Sequence, residues 1–351
     1  MGLIRYANGD IVNDTQRVAT STWFNNTNKL TSATMHTSSL QAVFTNATSV
    51  GAHYLNIYYD NSNSGSEFSV SYGNKTGSGS LEYTTGTGGT GFSPSRTIYS
   101  QYRQLVFGDE NSEFTFNGYT PDDIWVINVN RSRYKHNLKP GTLHLKLTAN
   151  SQTRTYTDDS ITASGSAVIT NAGRQFNIVE GATPGISDTP GNLNQSSGGS
   201  GVGSYGLFYP DSGFIILNPD AIDAEHGGAT PATLDPSQAQ NYGSSVNNNA
   251  KWFYNAIKLG NYFILDSEEK VSSQFYFTRA RNSEFNYTTN PSFVDTNGSV
   301  NVTSMIDNPT TYITTVGLYN DSGDLVAVAK LSQPVTKDFT KEALIRVKLD
   351  Y

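Results

Sequence analysis

Apolar and polar residues alternate with a period of two over several short stretches of this chain. In YLNIYYD, Leu55, Ile57 and Tyr59 alternate with Tyr54, Asn56 and Tyr58, and EFSVSY repeats the pattern with Phe68, Val70 and Tyr72. With the polar run Asp60 to Gly65 between them, the spacing predicts a β-hairpin. Further strands are predicted at Phe114–Phe116, at Ile124–Val129, and at Leu143–Leu147 after the turn residues Lys139-Pro140-Gly141. QFYFTRAR, TYITTVGLY, LVAVAKL and ALIRVKL read as four more, and Asn320 to Asp324 joins the second to the third with Gly323 available for a left-handed position. In LVAVAKL one face carries Leu325, Ala327, Ala329 and Leu331, and the other carries Val326, Val328 and Lys330. Pro334 is expected to end that strand, and Leu344–Leu349 is expected to be paired in the sheet.

Helical spacing is rare. Ser93-Pro94 supplies a hydroxyl cap and a proline suited to the first helical position, and Ile98, Tyr102 and Leu105 follow at helical intervals. Ala250 to Leu259, with Trp252, Phe253, Ala256 and Ile257, is the other helical segment. Gly73–Gly91 and Thr183–Gly206 hold too little apolar surface to offset the entropy of ordering a backbone, so both are expected to be flexible loops. From Met1 to Val50 the apolar residues are scattered without period, which predicts an extended arm or edge strands. The pattern therefore predicts a mainly-β fold. Its body is antiparallel and β-sandwich-like, with one or two short helices and long Gly/Ser/Asn-rich loops. Residues 1–92 form an arm and hairpin region, and 93–351 the main body with a C-terminal β meander at 271–351.

Composition narrows the function. The 351 residues include no cysteine, which excludes disulfide scaffolds and thiolate metal or redox sites. Charged residues make up only 15% against a usual ~25%, their places taken by Asn, Ser, Thr and Gly, which favour turns and strand surfaces. A net charge of -7 argues against nucleic acid as the partner. No run of some 18 apolar residues suits a membrane span, and MGLIRYANGD has no apolar signal region, so a membrane role and export by a cleaved signal are not expected.

Candidate chemistry is sparse. Gly201-x-Gly203-x-x-Gly206 has the dinucleotide glycine spacing but lacks the strand before it and the helix after it that would receive a pyrophosphate. The five histidines, His36, His53, His136, His144 and His226, lie far apart and show no zinc-ligand spacing. The acidic pairs Asp109-Glu110, Asp122-Asp123, Asp158-Asp159 and Glu268-Glu269 could supply glycosidase carboxylates, but they border turns and element starts, where solvated acids are ordinary. Asp60-x-Ser62-x-Ser64-Gly65 opens like a calcium loop and has Ser71 where a bidentate glutamate is required. Neither a catalytic residue nor a metal or cofactor is expected. Tyr54, Tyr58, Tyr59 and Tyr72 could form a glycan-stacking platform, although tyrosines so placed more often serve as cross-strand aromatic pairs that stabilise a polar sheet.

Three segments carry a family resemblance: Ser100–Leu147 (SQYRQLVFGDENSEFTFNGYTPDDIWVINVNRSRYKHNLKPGTLHLKL), Tyr205–Asp223 (YGLFYPDSGFIILNPDAID) and Glu284–Tyr351 (EFNYTTNPSFVDTNGSVNVTSMIDNPTTYITTVGLYNDSGDLVAVAKLSQPVTKDFTKEALIRVKLDY). They resemble virion structural proteins of contractile-tailed phages of the marine cyanophage type. The resemblance implies a particle component without enzymatic activity, in the tail, baseplate or neck, oligomeric in the virion and partnered by other virion proteins after assembly in the host cytoplasm. It carries no functional residue with it. On that reading the N-terminal arm docks on a neighbour through Trp23, Phe24, Val43 and Phe44 as anchors, since large apolar groups dominate interface energy. The alternative is a receptor- or carbohydrate-binding virion protein using the tyrosine hairpin, and a polysaccharide-degrading enzyme comes third.

Overall fold

The computed structural model describes residues 4–37, 54–60, 65–76, 95–161, 167–181, 203–226, 249–288 and 290–351. The fold is mainly β with antiparallel pairing, as the alternation predicts. In chain order the first strands are β1 (Ile11–Ser21), β2 (Lys29–Leu30) and β3 (His36–Thr37), followed by the hairpin β4 (Tyr54–Tyr58) and β5 (Ser66–Asn74). Helix α1 (Ser95–Phe107) precedes β6 (Asp123–Val129), β7 (Asn137–Leu138), β8 (His144–Ala149) and β9 (Gln152–Asp158). Next come β10 (Val168–Thr170), β11 (Gly173–Glu180), β12 (Gly206–Tyr209), β13 (Phe214–Leu217) and α2 (Pro219–Glu225). Helix α3 (Asn249–Gly260), β14 (Phe263–Ile264), β15 (Asp266–Ala280), β16 (Thr311–Tyr319), β17 (Leu325–Lys337) and β18 (Ala343–Asp350) complete the chain.

The chain divides into a terminal unit, Met1–Arg17 with Lys270–Tyr351, and a central unit, Val18–Glu269. This corrects the expected boundary at 92/93. The hairpin β4–β5 is not a separate region, because β5 pairs along its length with β6, from Phe68 opposite Val129 to Asn74 opposite Asp123.

In the central unit the strands run in the order β2-β14-β8-β9-β11-β12-β13-β6-β5-β4-β3. The middle strands are apolar on both faces, as strands covered on two sides must be. Ile124 and Val126 of β6 and Phe214 and Ile216 of β13 join Ile98, Tyr99, Tyr102 and Val106 of α1 in one core. The intervening Trp125, Ile127, Ile215 and Leu217 join Phe253, Ala256 and Ile257 of α3 in the other. Trp125 stacks on Phe253 with ring centroids 4.9 Å apart and planes 3° apart. The continuous run Ile124-Trp125-Val126-Ile127 thus feeds two cores alternately. Helices α1 and α3 fall where helical spacing places them. Helix α2 falls where the strand-like text FIILNPDAI hides it, with the Asn218 side chain accepting from the Ala221 N–H at 3.4 Å and Pro219 opening the helix. Phe114–Phe116, predicted as a strand, supplies one bridge, Phe116 with Tyr119, across a turn in which Asn117 and Gly118 both have positive φ.

In the terminal unit β18 pairs with β15 from Ala280 opposite Ala343 to Ser273 opposite Asp350, as expected of the C-terminal strand. The two-stranded ribbon β16–β17 lays Val316, Leu318, Ala327, Ala329 and Leu331 against Ile345, Val347, Leu349 and Tyr276, a small sandwich with its own core. β17 runs through Pro334 to Lys337, so the proline does not end it. Thr311–Ile313 pair with Val335–Lys337 beyond an irregularity that absorbs the missing N–H.

Candidate assembly surface

The expected anchors do not form one surface. Trp23 is 2% exposed and packs on Phe263 and Phe68 at centroid distances of 5.0 and 6.0 Å, so it is a core residue of the central unit and not a free anchor. The backbone turns back at once, with Asn25 and Asn26 at φ 59° and 55°, and Trp23 and Thr27 form a bridge that drives the indole inward. Phe24 is half-buried. Its N–H donates to Glu67 Oε2 at 3.1 Å, and its ring lies 5.4 Å from Tyr59 and under the Arg133 guanidinium. Val43 and Phe44 lie outside the described residues, as do 77–94 and 182–202, which make up most of the two glycine-rich tracts.

The four tyrosines of the hairpin do not share a face. Tyr54 is 44% exposed, Tyr58 and Tyr59 are half-buried, and Tyr72 belongs to the core beneath. The Tyr72 hydroxyl and the Asn74 amide both donate to Asp123, which is buried in the cross-strand position opposite Asn74. Burial pushes the Asp123 carboxyl up to about 6, and the two donors only partly oppose that shift. A platform built on Tyr72 is therefore corrected by its burial.

The acidic pairs act as structural acceptors. Asp122 pairs with Lys75 at 2.7 Å, Asp158 accepts the Gly141 N–H, and Asp159 accepts the N–H and side-chain amide of Asn177. Arg154 lies 3.0 Å from Glu225 and 3.8 Å from Glu180, and Tyr205 donates to Glu225 at 3.2 Å. Burial lowers His226, beside this group, to about 4. Among the described residues no group of three or more His, Asp or Glu is placed to hold a metal ion, and no helix is long and apolar enough to cross a membrane.

Apolar exposure points elsewhere. Of the twenty large hydrophobic residues exposed among the described residues, thirteen fall in the terminal unit, which holds 99 of the 351 residues. Five of the thirteen, Tyr312, Tyr319, Leu325, Val326 and Val328, lie on the β16–β17 ribbon, and the last four, on its outer face and turn, are 46%, 52%, 66% and 58% exposed. The face is continuous. Val328 stands opposite Gly317, and Tyr319 and Leu325 close over Gly317, where an added Cβ would meet them at 3.0 and 3.3 Å. Charge is distributed unevenly as well. The terminal unit holds ten basic and ten acidic residues and is neutral, whereas the central unit holds thirteen and twenty and carries the whole net charge. An apolar face on a neutral unit meets little electrostatic resistance to association. The signal was present in the sequence as the Val326/Val328/Lys330 face, but alternation alone does not say which of two faces is covered.

No family model, curated protein or solved structure matches the chain.

Proposed function

We propose that this protein is a non-enzymatic structural subunit of a contractile-tailed phage particle, seated in the tail, baseplate or neck, and that it works by protein–protein assembly through the outer face of the β16–β17 ribbon. The observation that carries the reading is the concentration of exposed apolar side chains on that ribbon, inside the Glu284–Tyr351 segment whose sequence resembles virion structural proteins. A monomer gains nothing from leaving Tyr319, Leu325, Val326 and Val328 in water, whereas a subunit covered by a neighbour recovers their burial.

The test is incorporation. Val326→Ser with Val328→Ser, introduced together in the phage gene, leaves folding intact because both side chains point to solvent. Purified particles should then contain much less of the variant subunit than of wild type. Wild-type incorporation of a folded double variant would overturn the reading. The glycan-binding alternative reduces to Tyr54 with Tyr58, which share the outward side of β4, and retention on a glycan array that is lost in Tyr54→Ala would favour it instead.

A further inference from the structure

We propose that Lys337 and Asn286 are the two halves of an intramolecular amide cross-link, in which Lys337 Nζ bonds to Asn286 Cγ, ammonia leaves, and the end of β17 is joined covalently to the turn that follows β15. The proposal goes beyond the assembly reading and does not depend on which surface a neighbour covers.

The two side chains are held within reach of one another. Lys337 is 0% and Asn286 4% exposed, and Nζ lies 2.7 Å from Asn286 Oδ1. A carbonyl carbon sits about 1.23 Å from its oxygen, so Nζ is at most about 3.9 Å from Cγ. A small rotation of the amide brings nucleophile and carbon to the ~3–3.5 Å of a reactive contact, and fixing both groups in one molecule removes the entropy that makes amine attack on an amide slow.

The surroundings favour the product. A fully buried lysine is nearly always paired with a carboxylate, yet all three partners of this one are neutral oxygens, Asn286 Oδ1 and the carbonyls of Asn282 and Asp338. An amide in place of the ammonium removes a buried charge that nothing opposite in sign compensates. The turn that presents the asparagine is also strained. Phe285 has φ 56°, a region that the other described residues reach only as asparagines, one serine and glycines. The Thr311 hydroxyl donates to the Phe285 carbonyl and holds it there, directly before the residue whose amide faces Lys337.

The reaction balances without a co-reactant. Nζ gives up a proton and attacks Cγ, the Nζ–Cγ bond forms, and the Cγ–Nδ2 bond breaks. The leaving Nδ2 takes up the two protons that Nζ loses and departs as ammonium, so charge and hydrogen are conserved and nothing is oxidised or reduced. The Asn282 carbonyl accepts from Nζ at 3.0 Å and from Nδ2 at 2.6 Å, and so bridges the nitrogen that loses protons and the nitrogen that gains them.

The position in the fold gives the bond a use. The β16–β17 ribbon shares no strand pairing with the β1-β15-β18 sheet, and a two-stranded ribbon is marginal by itself. Lys337 is the last residue of β17, and Asn286 lies between β15 and β16, so the ring closed by the bond contains the whole ribbon. A chain without cysteine has no disulfide with which to make that tie.

Mass spectrometry of the full chain, purified and held at neutral pH, tests the proposal. The intact mass should fall below the sequence mass by one ammonia, about 17 Da. Trypsin should release residues 282–330 joined to 331–341, with Lys337 uncleaved. In Lys337→Arg, which keeps the charge and cannot form this amide, both the deficit and the joined peptide should be absent. Wild type at its full sequence mass would overturn the proposal. So would a deficit without the joined peptide, which is the signature of a succinimide at an Asn-Gly step, and so would a deficit that persists in Lys337→Arg.

Discussion

The ammonium of Lys337 lies 2.7 Å from Asn286 Oδ1, inside the terminal unit and away from solvent. Its remaining donors reach the carbonyls of Asn282 and Asp338, both at 3.0 Å, and the Asn286 amide donates to the Asn282 carbonyl at 2.6 Å. One buried cation therefore ties the end of β17 to the 282–286 turn, and the network is satisfied without a buried carboxylate. Lys337→Met should leave the buried Asn286 Oδ1 without its donor, while the Asn282 and Asp338 carbonyls keep the Asn286 amide and the Lys341 N–H, and should cost about 1–3 kcal/mol. Urea unfolding should show the loss in the terminal unit, and an unchanged midpoint would mean that water replaces the ammonium at no cost.

Trp23 and Phe24 should part company on mutation. Trp23→Ala removes a fully packed indole and should destabilise the central unit by about 3–5 kcal/mol. Phe24→Ala, at a half-buried site with partners on one side, should cost roughly 1 kcal/mol. Equal effects in chemical denaturation would contradict the packing assigned to Trp23.

Asp123 gives the fold a pH dependence of known sign. Its folded pKa of about 6 lies above the ordinary 3.8, so the folded chain holds this proton more tightly than the unfolded chain does. Its contribution is fully present below about pH 4 and is lost as pH rises through 6, a difference of up to about 3 kcal/mol at 1.36 kcal/mol per pH unit. Asp123→Asn keeps an acceptor for Tyr72 and Asn74 and cannot ionise. The variant should gain stability relative to wild type between pH 4.5 and 7.5, as followed by denaturant midpoints. A constant difference across that range would sink the assignment.

Deleting residues 343–351 removes β18, its eight-residue ladder with β15 and the buried side chains of Ile345 and Val347. At about 1.5–3 kcal/mol for each such side chain, the loss approaches the stability of a small domain. The truncated chain should lose the terminal-unit unfolding transition in calorimetry while the central unit still melts. A retained transition would show that the ribbon and β15 hold together without β18.

Several elements were legible in the residues because their cause is local. The hairpin β4–β5, the strands β6 and β16–β18, and the helices α1 and α3 each follow from spacing within about ten residues and a recognisable turn or cap. β15 was legible only in its second half, since Asp266, Glu268, Glu269 and Lys270 interrupt the alternation of its first. α2 was missed because its apolar residues continue the run of β13, although Asn218-Pro219 marks its start. The outward Val326/Val328/Lys330 face was readable, and its exposure was not.

The sequence by itself determined where strands form and which residues share each face, because a period of two is fixed by the backbone between neighbouring residues. Only the tertiary structure decided which strands meet, which faces are covered and where the units divide. β5 lies against β6 across an intervening helix, Trp23 enters a core with Phe68 and Phe263, and Tyr72 turns its hydroxyl to Asp123. Those outcomes depend on pairing between residues tens to hundreds of positions apart, where the gain comes from burial shared among several faces at once and no local pattern records it.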